Sequence, residues 1–148
     1  MDVEDAPTEL TAEAVARVRA SFDRQGLMRL LGAELVEVSA GQVRIDVVRR
    51  PEISQQHGYV HAGATSAIAD SAGGYAALTM MPLTSEVLTV EYKLNLLAPA
   101  AGDRLEAVGT VLRAGRTLSV CRLEVFSVDD GSRKPVAVGQ QTLIAVPS

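Results

Sequence analysis

The sequence predicts an α+β protein in which an antiparallel sheet curls around one long central helix. Three observations carry that expectation. Apolar spacing reads, in chain order, as a helix, two strands, a long helix and four strands. The long helical segment, residues 61–80, is rich in Ala and contains Gly63, Gly73 and Gly74. At 148 residues the chain is sized for one domain with a true core.

Residues 1–10 are acidic, contain Pro7 and are expected to fray. Thr11 can cap a helix in which Val15, Val18 and Phe22 recur at helical spacing, with Gly26 as its stop. A short apolar turn over residues 27–31 ends at Gly32. The period then changes to two. Val43, Ile45 and Val47 alternate with Arg44 and Asp46, and Ala40-Gly41 supplies a hairpin turn from the preceding run 34–38.

In the segment 61–80 each interior Gly costs a helix about 1 kcal/mol relative to Ala. Close approach offsets that cost: a helix with little side-chain bulk can be wrapped tightly by a curved sheet, or can let a ligand slide past. The clearest strand follows at 88–96. Its alternation predicts Leu88, Val90, Tyr92, Leu94 and Leu96 on one face, and Thr89, Glu91, Lys93 and Asn95 on the other. Three more strands read over 103–112, 117–127 and 135–145, joined by turns at Ala114-Gly115 and Asp129-Asp130-Gly131.

Composition narrows the function. Fourteen basic residues against 18 acidic give a net charge of −4, and the arginines are scattered, which disfavours a nucleic-acid backbone or an anionic membrane as partner. Aromatics make up 3% with no Trp, too few for base-stacking platforms. A single cysteine, Cys121, allows no intrachain disulfide and fits a reducing compartment. The acidic start lacks the features of a signal peptide, and the apolar stretch 60–83 is broken by Asp70. A cytoplasmic protein with no nucleic-acid or membrane partner is the expectation.

Asp70 is the one formally charged residue between Ile53 and Ser85. Burying it in a helix is expensive unless it is paired or hydrogen-bonded. No Lys or Arg lies between Arg50 and Lys93, and its helical neighbours Ser66, Ala67, Gly73 and Gly74 are all small. The carboxylate is therefore expected to look into open space, as a general base or nucleophile does. The competing reading is an Asp that caps a broken helix or faces solvent.

A helix starting near His61 would point the N–H groups of Ala62 and Gly63 outward at its positive end, forming an oxyanion site. An ordinary helix start with a Gly for clearance explains the same residues. His57 and His61 lack the Glu that a zinc-binding His-Glu-x-x-His helix needs, since Gly58 follows His57, and no metal is expected. Cys121 reads as a buried strand residue beside Ser119, Leu123 and Val125. Ala62 and Asp70 are eight residues apart, about 12 Å along a helix. One carbonyl cannot meet both, so two antiparallel helices of a two-fold dimer are expected to supply them.

His61-Ala62-Gly63, with Asp70 nine residues after His61 in Ile68-Ala69-Asp70-Ser71-Ala72, resembles the HGG…LAD signature of the PaaI-type hotdog-fold acyl-CoA thioesterases. The similarity runs from about residue 31 to 146, so residues 1–30 read as an acidic tail and helix ahead of a hotdog domain at 31–148. It takes in residues 90–97 followed by Ala98-Pro99-Ala100, Gly102-Asp103, and the hairpin Leu112-Arg113-Ala114-Gly115-Arg116-Thr117. The stretch Leu112-Arg113-Ala114-Gly115 is most similar to the YigI-like medium- and long-chain group.

The resemblance implies a role for each matching residue. Asp70 takes the place of the catalytic carboxylate, acting on water or directly on the thioester carbonyl. Ala62 takes the place of the oxyanion donor, His61 orients that turn, and Gln55 matches the Asn or Gln that positions water or thioester. Contacts to the coenzyme A substrate fall on Gly63, Gly74, Leu97, Ala98, Pro99, Ala100 and on Arg113, Ala114, Gly115, Arg116, Thr117, Leu118, with Arg113 and Arg116 meeting phosphates. No separate cofactor is implied, and a homodimer or homotetramer is. Ala62 departs from the family's Gly, which places a methyl where Gly allows close approach. The rival readings are a non-catalytic acyl-CoA sensor, disfavoured because residues 1–30 hold no helix-turn-helix, and a 3-hydroxyacyl thioester dehydratase or hydratase using His61 and Asp70.

Overall fold

Thr11 starts the first helix by the mechanism its side chain suggests: its hydroxyl accepts the Ala14 N–H at 3.1 Å. The computed structural model describes residues 9–148, so residues 1–8 of the acidic stretch expected to fray lie outside the described residues. Helix α1 covers Ala12–Asp23 and buries Val18 and Phe22. Gly26 does not stop it. The helix closes at Arg24, and Gly26 instead begins α2, Gly26–Leu31, which ends on Gly32 in the left-handed region at φ 71°. That conformation suits Gly, and Gly32 closes the second helical turn where the sequence places its end, whereas α1 stops at Arg24 without a glycine.

Strands β1 (Glu34–Ser39) and β2 (Gln42–Val48) pair around the Ala40-Gly41 turn, with Val43, Ile45 and Val47 buried. A 3-10 turn at Pro51–Ile53 and a loop lead to α3, Ala62–Leu78. The remaining strands are β3 (Ser85–Leu96), β4 (Arg104–Ala114), β5 (Leu118–Asp129) and β6 (Ser132–Pro147). All pair antiparallel in one sheet of order β1-β2-β4-β5-β6-β3.

The sheet curls around α3, which packs against every strand from β2 to β6. Ile68, Ala69, Ala72 and Ala76 meet Ile45, Leu105, Leu123 and Leu143 in the core, each of these side chains 0% exposed. The glycine-rich helix is explained by close approach. A Cβ at Gly109 on β4 would collide with the backbone of Ala72 and Gly73, so helix and strand touch main chain to main chain. Helix α1 joins through Phe22, whose ring meets Tyr75 edge-on with centroids 6.2 Å apart. The Tyr75 hydroxyl then bonds Ser21 and Gln25 at 3.1 and 2.8 Å.

One strand departs from simple alternation. β3 carries a bulge between Thr89 and Glu91, so that Thr89 lies opposite Leu143 while Tyr92 lies opposite Gln141. Leu143 and Gln141 are both buried positions of β6. Thr89 and Tyr92 therefore share the helix-facing side, and the extra residue, Val90, shifts the phase. Leu88 and Val90 do not join Tyr92 on that face, contrary to the sequence expectation.

Candidate active site

The loop before α3 is tied into a tight unit. Gln55 accepts the His57 N–H on its side-chain Oε1 at 2.6 Å, and its main chain pairs with Tyr59 at 2.8 Å. His61 caps α3 with its own ring: Nδ1 accepts the Gly63 N–H at 2.7 Å. The His61 carbonyl takes the N–H groups of Ala64 and Thr65. Of the two donors expected to be open, Gly63 is thus engaged, and the Ala62 N–H has no protein acceptor among the described residues. The imidazole decides which amide stays available.

A cavity of about 530 Å³ opens beside this turn. Gln55, Tyr59, His61, Ala62, Thr65, Leu96 and Val136 line it together with Leu97, Ala98, Pro99 and Ala100. A second cavity of about 490 Å³ lies between α2 and the start of α3, lined by Leu27, Leu30, Ile53, Ala67 and Gly63, with His61 bordering both.

Asp70 sits two turns further along α3 and lines neither cavity. It is half-buried and hydrogen-bonded rather than facing open space. Thr89 Oγ1 donates to its Oδ1 at 2.7 Å, and Gln141 Nε2 donates to the same oxygen at 2.6 Å. These neutral donors hold one oxygen of a carboxylate that forms no ion pair among the described residues, and its half-exposed position lets the helix tolerate the charge. Tyr92 reaches the same helix face, its hydroxyl 3.3 Å from Ser66 Oγ.

Sequence reasoning missed both donors. Unbroken alternation put Thr89 on the wrong face, because a bulge leaves no mark in the period. Gln141 was legible in one respect: it occupies a strand position in phase with the buried Leu143, where an amide is out of place.

Other expected contacts are spread apart within one chain. Gly74 is buried in α3 beside Leu143 and borders neither cavity. The β4–β5 hairpin with Arg113, Ala114, Gly115, Arg116, Thr117 and Leu118 lies by the start of β3, since Leu118 and Leu88 both pair with Ile144. The larger cavity lies by the end of β3, at Leu96 and Leu97. Cys121 is fully buried, and burial pushes its thiol up to about 12, so it is no nucleophile. No helix among the described residues is long and apolar enough to cross a membrane.

Residues 57–134 match the family model described as "Thioesterase superfamily", more than half of the chain and all of α3. The chain belongs to the thioesterase superfamily. A solved thioesterase family protein from Silicibacter pomeroyi is 38% identical, with a TM-score of 0.89 over 91% of this chain and 99% of that one. The fold is that of the E. coli PaaI protein from the phenylacetic acid degradation operon, at 21% identity and TM-score 0.82 over 94% of this chain and 97% of that one. A curated relative, 1,4-dihydroxy-2-naphthoyl-CoA hydrolase of Listeria monocytogenes, is 22% identical across 80% of this chain and 94% of its own. The sheet curled around α3 is thus the hotdog fold, consistent with the PaaI-type resemblance, and this thioesterase-superfamily chain is a thioester hydrolase.

Proposed function

We propose that the protein hydrolyses acyl-CoA thioesters with a medium- or long-chain or aryl acyl group, releasing the free acid and coenzyme A. Asp70 is the base that takes a proton from water, or the nucleophile itself, and the Ala62 N–H receives the charge that develops on the carbonyl oxygen. The C–S bond breaks as the tetrahedral intermediate collapses, and coenzyme A leaves as the thiolate. Gln55, at the rim of the cavity, positions the thioester or water, and His61 holds the turn by occupying the Gly63 N–H.

The observation that carries this reading is the division of labour on α3: an open amide at its first residue and a carboxylate eight residues on. That separation, about 12 Å of helix rise, supports a site built from two chains, Ala62 of one and Asp70 of the other. Coenzyme A phosphates then meet Arg113 and Arg116 on the hairpin. The 1,4-dihydroxy-2-naphthoyl-CoA hydrolase relative adds support for a coenzyme A thioester as substrate class.

The test is thiol release from butyryl-, palmitoyl- and benzoyl-CoA by wild type and Asp70→Asn. Turnover by the wild type alone, with the variant folded, is the expected result. Wild-type turnover by Asp70→Asn would sink the mechanism, and binding without thiol release by either protein would favour a sensor.

A further inference from the structure

Among the described residues, the hydrogen bonds to the Asp70 carboxylate all fall on one of its two oxygens. Thr89 and Gln141 both donate to Oδ1, and Oδ2 receives no hydrogen bond among the described residues. Gln141 does more than donate once. Its Nε2 also lies 3.1 Å from the Asp70 main-chain carbonyl and 3.0 Å from Thr89 Oγ1. The amide thus grips Asp70 at both its backbone and its carboxylate. Three acceptors face Nε2, so that end of the amide must be the donor end.

The placement of this side chain has a cost that packing does not explain. Gln141 is 0% exposed, and its Oε1 has no hydrogen-bond partner among the described residues. Buried polar atoms are ordinarily satisfied, and an apolar residue would fill a strand position facing the core more cheaply. Room for the amide comes from α3 itself. A Cβ at Gly73, one turn beyond Asp70, would overlap Gln141 Oε1 and press on Leu123. The helix therefore lacks a side chain at the point where the amide lies.

We propose that Gln141 is a positioning residue which, seated against Gly73, fixes the Asp70 carboxylate through Oδ1 so that Oδ2 is the oxygen presented to the reacting water or carbonyl. The proposal rests on Asp70 being the catalytic carboxylate. A neutral amide suits the task, because it orients the carboxylate without neutralising it as a Lys or Arg would. Gly73 is the other half of the device: its missing methyl keeps the amide within reach.

The experiment measures kcat and KM on the best of the three acyl-CoA substrates for Gln141→Met, Gly73→Ala and the double variant, with Asp70→Asn alongside. Gln141→Met keeps the length of the side chain and removes its donors. Its kcat is expected to fall at least about 10-fold with KM unchanged, since small displacements of a catalytic group are costly. Gly73→Ala is expected to lower kcat by a similar factor, and to add less than that factor in the Gln141→Met background, where the amide is already gone and only the pressure on Leu123 and the Met side chain remains. Wild-type kcat in either folded single variant overturns the proposal, as does full additivity in the double variant. Should Gln141→Met fail to fold, Gly73→Ala decides alone, with a wild-type kcat again the overturning result. Wild-type turnover by Asp70→Asn is a separate outcome that removes the base reading and this proposal with it.

Discussion

Glu106 on β4 holds its charge with a side chain only 5% exposed. Arg104 and Arg133 each reach it at 2.9 Å, and Arg44 lies 3.6 Å away. Arg133 crosses over from β6, its guanidinium 3.5 Å above the Phe126 ring, so one carboxylate ties together residues of three strands. Burial by itself would raise the Glu106 carboxyl, but the hydrogen bonds from Arg133 and Arg104 and the nearby Arg44 charge outweigh it and hold the group below its usual value. A carboxylate lowered in the folded state stabilises the fold above its unfolded value, about 4.3. That contribution disappears as pH falls through the lower folded value. Glu106→Gln is accordingly expected to cost about 2 kcal/mol at pH 7, between an exposed and a buried ion pair. Chemical denaturation at pH 7 and again near pH 3 checks this. The gap between wild type and variant should close in acid, and an equal gap at both values would show that the arginines are not held by the charge.

At the scale of elements, α3 is fixed at both ends by side chains rather than by its own composition. His61 closes the first turn, and Arg17 of α1 closes the last. The Arg17 guanidinium donates to the carbonyls of Leu78 and Pro82 at 2.6 Å, and more weakly to those of Met81 and Ser85. A cation over a helix C-terminus also complements the dipole. Burial lowers the Arg17 pKa and Glu86 opposes that shift, yet an arginine stays charged at any physiological pH. Arg17→Met, which keeps the stem and removes the donors, should cost about 2 kcal/mol, or roughly 4–8 °C in Tm for a chain of this length. A Tm within a degree of wild type would show that solvent satisfies those carbonyls equally well. The elements were legible in the sequence wherever the signal is local: the Thr11 cap, the alternation of β2, the small-residue helix, the turns at Ala40-Gly41 and Asp130-Gly131. Asp70 and the His61 turn stood out for the same reason, an isolated charge and a helix start. Long-range register was not legible. The bulge at Val90 swings Thr89 onto Asp70, and Gln141, itself marked as an amide in phase with buried Leu143, meets the same carboxylate from 71 residues away, so neither pairing with Asp70 leaves a local trace.

For the whole molecule, the two sheet edges differ. β1 is six residues long and carries Glu34 and Glu37, which discourage pairing. β3 is 12 residues long and, although it carries Glu86, Glu91 and Lys93, also exposes Leu88, Val90, Tyr92 and Leu96, of which Leu88 is 58% accessible. A long edge with that many exposed apolar side chains calls for a partner, and a second copy lying antiparallel along β3 would satisfy it, each copy's Glu and Lys then able to face the other's. The same pairing would carry the Arg113–Arg116 hairpin, beside the start of one β3, toward the cavity beside the end of the other. It also predicts that Ala62 and Asp70 of a working site come from different chains, which subunit mixing can test. Ala62→Pro deletes the amide donor at the first helical position, where Pro is well tolerated. His61 already has the extended backbone that a following Pro requires, with ψ 138°. Homodimers of Ala62→Pro or of Asp70→Asn should both be inactive. In a mixed dimer one site carries both lesions and the other carries neither, so unfolding and refolding the two variants together in equal amounts should restore about a quarter of wild-type turnover. If each site is complete within one chain, every site in the mixture keeps a lesion and the refolded sample stays inactive.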